Sequence, residues 1–260
     1  MHRYEKAGSL MAEPVKRRRR RLDFLIARLT GMTRKQAKQC IREGRVRVEG
    51  IEGSQLRSQT RIGVEHAVYL DGELLEREGG DRYLMVNKPA GVVSATRDDY
   101  DPTVLDLLDP EERRGLHPVG RLDKDTTGLL LLTTDGEWSH RITSPRHACP
   151  KIYRVDVAEP LDDGTLERLE TGIVLRGDNK ASYAQNIERI SQTRILMTLN
   201  QGRYHQIKRM IGAVGNRVTG LRRERVGDLA LDESLSEGEY RVLTPDEANC
   251  VMPVQDPPEQ

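Results

Sequence analysis

Aromatic residues are scarce in this chain: they make up 4% of its 260 residues, with one Phe and one Trp. Leu, Val and Ile must therefore fill the core, and a stacking platform of several rings, as single-strand binders use, is not expected. Cysteine is scarce too. Cys40, Cys149 and Cys250 are odd in number, far apart and without CxxC pairing, which argues against a disulfide framework and a structural zinc site. They read as thiols of a reducing cytoplasm. The six His show no ligand spacing, so no metal is expected. The longest apolar run, Leu129 to Leu132, is too short to cross a bilayer, and the Arg-rich start is not followed by an apolar segment. A soluble, cytoplasmic protein without a membrane partner is the expectation.

Charge is present in abundance but nearly cancels, with 42 Lys plus Arg against 41 Asp plus Glu. The cancellation is spatial. Residues 1–61 carry 17 cations and 6 acids, a net of +11, and residues 62–260 carry 25 and 35, a net of −10. A basic head on an acidic body points to a polyanion met by one end of the molecule. A second anomaly lies within the body. Residues 201–226 hold seven cations against Glu224, whereas residues 227–260 hold nine acids against Arg241. A basic stripe beside an acidic tail again suits phosphates.

Residues 1–20 form a basic arm, in which six consecutive cations from Lys16 to Arg21 would repel one another in a packed element. Leu22, Leu25, Ile26 and Leu29 then recur at helical spacing up to Gly31, which predicts a first short helix. Thr33 can cap a second helix, with Ala37, Cys40 and Ile41 on one face and Arg34, Lys38 and Arg42 on another. Gly44 ends it, and Arg45 to Gly50 alternates as a strand running into a turn. Taken alone, a row of cations on a helix is a solvated face. Placed with Lys35 and Arg45 in the segment that holds the charge excess, it becomes a phosphate-binding surface. The unit over 21–75 resembles the S4 RNA-binding domain, which grips folded RNA mainly by shape and backbone. Residues 76–81 read as a linker, 82–250 as a second domain and 251–260 as a tail.

In the second domain Tyr83 to Val86 is a buried strand closed by Asn87-Lys88-Pro89-Ala90-Gly91, with Lys88 at its end. Strands and helices mix without βαβ alternation, so the fold class is α+β. The densest chemical signal is His117 to Gly128, a polar loop bracketed by glycines that feeds the apolar run Leu129 to Leu132 and ends in an Asp135-Gly136 turn. Such a loop can fix a reactive carboxylate among cations. An Asp in a tight turn commonly just caps backbone amides, so the loop's chemistry alone does not establish a catalytic role. A glycosidase pair of Asp123 with Asp125 lacks an apolar pocket to raise one acid.

Gly120-Arg121-Leu122-Asp123, followed by Thr127-Gly128-Leu129-Leu130, resembles the signature of the pseudouridine synthases. Trp138 to Pro145 and Gly202-Arg203-Tyr204-His205-Gln206-Ile207-Lys208-Arg209-Met210 are similar to the RsuA branch, which acts on small-subunit rRNA. The resemblance runs from about Arg21 to Glu247. It implies a mixed, largely antiparallel sheet flanked by helices and a cofactor-free isomerisation of uridine, at uridine 516 of 16S rRNA. It further implies Asp123 as nucleophile, Lys208 as the cation paired with it, and Tyr153 as the ring that stacks on the flipped base. Alternation along Lys151 to Val157 also allows Tyr153 to be a packed core residue. Arg121, Arg203, His205, Gln206 and Arg209 are expected to face RNA, although Gln206 and His205 could equally satisfy buried hydrogen bonds. A monomer acting on an assembling small subunit with its ribosomal proteins is expected. The alternatives are a large-subunit (23S) rRNA synthase and a non-catalytic RNA-binding assembly factor.

Overall fold

In the computed structural model, which describes residues 19–63, 66–75 and 81–251, the chain divides into two units, Met1–Gly79 and Gly80–Gln260. Of the sequence-based expectations, the arm up to residue 18, the linker from 76 to 80 and the tail from 252 onward lie outside the described residues.

The first unit is built from β1 (Arg20–Arg21), α1 (Leu22–Thr30), α2 (Arg34–Arg42), β2 (Val46–Val48), β3 (Arg61–Ile62), β4 (Val68–Leu70) and β5 (Glu73–Leu74). The local reasons are those read from the sequence. Gly31 adopts φ +75° and stops α1, and Thr33 and Gln36 form a reciprocal capping box at the start of α2. Strands β2, β4 and β5 pair antiparallel in that order, and β1 pairs with β3. Leu22, Leu25, Ile26, Ala37 and Cys40 pack against Val46, Val48 and Val68 to form the core.

The second unit comprises β6 (Tyr83–Lys88), β7 (His117–Pro118), β8 (Thr127–Thr133), α3 (Gly136–Thr143), β9 (Lys151–Val157), α4 (Asp163–Thr171), β10 (Ile173–Val174), β11 (Ala181–Ser182), β12 (Asn186–Ser191), β13 (Arg194–Leu199), α5 (Gln206–Ala213), β14 (Val218–Val226), β15 (Leu229–Ala230), β16 (Tyr240–Val242) and α6 (Pro245–Cys250). Its main sheet runs β12-β13-β9-β14-β8-β6-β16, with β15 on β14 and β7 on β8. Every pairing in it is antiparallel except β8 with β14. The mixed, largely antiparallel sheet is the one expected.

Strand β8 explains the unbroken apolar run. Leu129 and Leu131 pack with Met85 and Trp138 on one face, and Leu130 and Leu132 with Leu84 and Val86 on the other. All four leucines are fully buried, each stabilised by roughly 1.5–3 kcal/mol relative to exposure, so this strand is a firm base for the loop that feeds it. At its parallel junction with β14, a Cβ on Gly128 would lie 2.4 Å from the Arg223 carbonyl oxygen, and φ is +95°. Only glycine fits there.

One expectation is corrected. The segment after β8 is not an Asp-Gly turn but the start of α3: Asp135 is fully buried, and its Oδ1 accepts from the N–H groups of Glu137 and Trp138. The Tyr83 hydroxyl donates to its other oxygen at 3.0 Å. An acid at a helix N-terminus satisfies orphan amides, and this demand outweighs the turn preference of the Asp-Gly pair.

Candidate active site

The loop between β7 and β8 is held at several points. Gly120 turns the chain at φ +76°. The Ser94 hydroxyl donates to Leu122 O at 2.9 Å and accepts from Leu122 N at 3.0 Å, and Gly91 N donates to Lys124 O at 2.8 Å. From the end of β6, Lys88 sends its ammonium to Pro89 O at 2.9 Å, Thr126 O at 2.8 Å and Lys124 O at 3.4 Å. Lys88 is fully buried. Burial lowers its pKa to about 8, against the pull of Asp125 and Asp123 in the other direction. A buried ammonium bound by carbonyls ties the loop that carries Asp123 to the sheet and leaves a positive charge beneath it.

On this support Asp123 is partly exposed. Lys208, from α5, lies 3.2 Å from Asp123 Oδ2 and 2.6 Å from Asp125 Oδ1, while His205 Nε2 lies 3.5 Å from Asp123 Oδ1. Lys208 thus bridges two carboxylates rather than serving one. Burial works against the Lys208 charge, but its hydrogen bonds to Asp125 and Asp123 outweigh this and raise its pKa. The same contact with Lys208 lowers that of Asp125. An ammonium is a point charge that can be shared in this way, whereas an arginine fork would favour one planar partner.

His205 precedes α5 at φ +47°, a conformation uncommon for a non-glycine residue, and its ring is stacked on Tyr204 at 3.9 Å with 15° between the planes. Tyr204 is 78% exposed. Tyr153, in β9, is partly buried and packs against the two apolar clusters that hold Val155 and Leu122. It thus borders the same apolar cluster into which Leu122, beside Asp123, is buried. Its hydroxyl has no hydrogen-bond partner among the described residues.

The residues expected to face RNA fall into different situations. Arg121 is exposed and lines a cavity beside the loop. Arg203 and Arg209 are engaged within the fold: both pair with Asp178, at 3.2 and 3.0 Å, and they also hold the carbonyls of Lys180 and Arg176. Together they clamp the turn between β10 and β11 to the start of α5. Gln206 is buried, and its Oε1 accepts from Arg203 N at 3.0 Å. In the first unit, Arg34 and Lys38 flank the buried Asp23 at 2.9 and 4.0 Å, together with Arg21 at 3.1 Å. Burial works against the Asp23 charge, but hydrogen bonds from Arg21 and Arg34 dominate and lower its pKa. Lys35 is exposed, Arg42 donates to Gln39, and Arg45 makes a two-pronged bond to Asp71 at 2.8 and 2.6 Å.

Sequence reasoning placed Lys88 at a strand end without giving it a role, and passed over Asp125 as a partner of Lys208, and Asp23. Lys88 carried a signal, a lysine ending an otherwise buried strand, and Asp23 sits among apolar helical positions. The sharing of Lys208 carried none, because it joins residues 83 positions apart.

A family model described as RNA pseudouridylate synthase matches residues 82–213. The ribosomal small subunit pseudouridine synthase A of Vibrio cholerae serotype O1 is 44% identical over 231 residues, 89% of this chain and 99% of the relative. That of Escherichia coli K12 is 46% identical over 233 residues, 89% of this chain and all of the relative. A crystal structure of a pseudouridylate synthase superimposes with a TM-score of 0.66 at 43% identity, over 89% of this chain and 99% of that one. The mixed sheet with its helices agrees with the fold of that structure, and by the matched family model and these identities the chain belongs to the RNA pseudouridylate synthase family.

Proposed function

We propose that the protein isomerises a uridine of small-subunit (16S) rRNA to pseudouridine, uridine 516 by resemblance, with Asp123 as the nucleophile. The observation that carries this reading is the Asp123 carboxylate held between His205 and Lys208 on a loop fixed from below by Lys88. The similarity to the small-subunit enzymes of Vibrio cholerae and Escherichia coli over 89% of the chain supports the substrate class.

In the reaction the bond between N1 and C1′ breaks, the uracil turns in the site, and a bond between C5 and C1′ forms. The C5 proton leaves and N1 gains one, so atoms and electrons balance without an oxidant. Asp123 attacks either the base at C6 or the sugar at C1′, supplying the electron pair that lets the glycosidic bond exchange. Lys208 balances the charge of the carboxylate as it is used and regenerated. The Tyr153 ring stacks on the base, and its unpartnered hydroxyl is free to carry the proton. The target must first be extruded from structured RNA, at a cost of a few kcal/mol. The S4-like head, through Lys35 and its neighbours on α2, docks on folded RNA of an assembling subunit, and the protein acts as a monomer.

Purified Asp123→Asn protein assayed on small-subunit rRNA is expected to form no pseudouridine while still binding the RNA. Isomerisation retained in this variant overturns the nucleophile. Mapping pseudouridine in both rRNAs of a deletion strain, with and without the Asp123→Asn allele, tests the substrate. Loss from the large subunit alone favours a 23S enzyme, and a cellular role preserved by Asp123→Asn favours a non-catalytic binder.

A further inference from the structure

Beside the catalytic loop is a cavity of about 510 Å³ to which Ser94, Thr96, Arg97, Arg121, Ser139 and Thr143 contribute. Its two cations come from different segments, Arg97 from the stretch after β6 and Arg121 from the catalytic loop itself. Neither guanidinium has a hydrogen-bond or ion-pair partner among the described residues, and the same is true of the Thr96 and Ser139 hydroxyls. Thr143 differs, since its hydroxyl donates to Ser139 O at 2.8 Å.

The walls are fixed rather than loose. The bonds of Ser94 to Leu122 and of Gly91 to Lys124 join the two segments, and Lys124 Nζ adds an ion pair to Asp101 at 2.6 Å. Asp98, next to Arg97, is turned away from it in bonding terms: its Oδ1 accepts from the amides of Tyr100 and Asp101, both at 3.0 Å. Thr143 of α3 lies close against the loop at Gly120, since a Cβ there would be in ordinary contact with Thr143 Cγ2, at 3.4 Å. Two guanidiniums in one concavity repel each other unless an anion joins them. Free hydroxyls beside them suit a ribose, and with no aromatic side chain in the lining there is no surface on which a base would stack.

We propose that this cavity seats the phosphodiester and ribose of a nucleotide flanking the target uridine, with Arg97 and Arg121 on the phosphate and Thr96 and Ser139 on the sugar. The inference rests on the catalytic reading above, because the RNA is brought here by the neighbouring Asp123. It makes Arg97 a binding residue of the substrate without a part in bond exchange.

The test uses the full chain and a small-subunit rRNA fragment, with affinity measured by fluorescence anisotropy over a range of salt and the isomerisation rate measured in single turnover at saturating RNA. Arg97→Ala is expected to weaken binding about tenfold at low salt and to reduce the salt slope by about one unit, with a saturating rate within about twofold of the parent. Arg97→Lys, which keeps the charge, should recover most of that slope. Ser139→Leu, which fills the cavity without altering charge, should weaken binding at every salt concentration. Unchanged affinity and slope in Arg97→Ala overturn the proposal, as does a loss confined to the saturating rate. UMP as competitor separates the other source of the same chemistry: if Arg97→Ala abolishes UMP competition but leaves RNA affinity intact, the cavity is a free-nucleotide site and the proposal fails. Asp123→Asn is run in parallel, so that isomerisation retained there overturns the catalytic reading, whereas an inert Arg97→Ala overturns only the subsite.

Discussion

In the first unit the cations of α2 stay at the surface, with Arg34 and Lys38 arranged around the buried Asp23 and Lys35 free; in the second, the equally basic stretch 201–226 is mostly turned to the fold's own needs. Arg203 and Arg209 hold Asp178, Lys208 bridges two aspartates, Arg222 contacts Glu224, Arg223 is buried with its Nε donating to Leu129 O, and Arg225 donates to Asp228 O. Residues 91–125, by contrast, contain five cations and nine acids, a net of −4, yet present two unpartnered arginines in one cavity. Charge along a sequence measures how many cations there are. Whether they can meet phosphate depends on which acids and carbonyls the fold brings to them.

The largest effects are expected where a cation serves the loop that carries Asp123, the proposed nucleophile. Lys208→Met leaves Asp123 and Asp125 side by side without their shared counter-charge, and a fall in the saturating rate of about 10²–10³-fold is expected, with RNA affinity changed far less. Lys208→Arg should lie between the two. A parallel loss of affinity in the Met variant would make Lys208 a phosphate contact and erase the contrast.

Lys88→Met comes next. It removes the donor for Thr126 O, Pro89 O and Lys124 O, and a destabilisation of about 1–3 kcal/mol is expected by chemical denaturation. The pH dependence gives a second reading. The folded pKa of Lys88, about 8, lies below the ordinary 10.5, so between these values the unfolded chain binds more protons and stability rises with pH. Lys88→Met should lack that rise.

The difference between the two units also explains what could be read in advance. Gly31, Thr33 and the apolar positions of α1 and α2 act through neighbours one turn away, so the helices were legible with their ends. The run Leu129 to Leu132 announced a strand buried on both faces. Asp135 misled because the same Asp-Gly pair serves a turn or a helix cap, and only the Tyr83 hydroxyl and the start of α3 decide between them. In the site, Asp123 and Lys208 were legible through motifs, not through spacing. The clamp of Arg203 and Arg209 on Asp178, and the pairing of Arg97 with Arg121 across a cavity, depend on long-range closure that no local pattern encodes.

Asp23→Asn probes the first unit at smaller amplitude. Without the buried charge, Arg34 and Lys38 lose the partner that sets their direction, and RNA affinity should fall severalfold with the saturating rate unchanged. The folded Asp23 carboxyl titrates below its ordinary 3.8, so its stabilisation is present above that value and is lost as pH falls through the folded one. Thermal melts from pH 3 to 7 should therefore show a shallower acid limb in the variant.

The smallest effects give the sharpest comparison, because Lys35 and Arg45 sit in the same unit and differ in availability. Lys35 is exposed without a partner among the described residues, whereas Arg45 is held by Asp71 through both prongs of its guanidinium. If free charge rather than charge density grips RNA, Lys35→Ala should cost about three- to fivefold in affinity and lower the salt slope, and Arg45→Ala less than about twofold. Asp71→Asn turns the argument around. Asp71 sits at φ +54°, which asparagine adopts readily, so the backbone should hold while Arg45 loses its charged two-pronged partner and keeps only the longer contact with Glu43, at 3.6 Å. Affinity should then rise by about twofold and the slope should steepen. If all three variants bind alike, availability is not what separates the two units, and neither Lys35 nor Arg45 contributes to RNA binding.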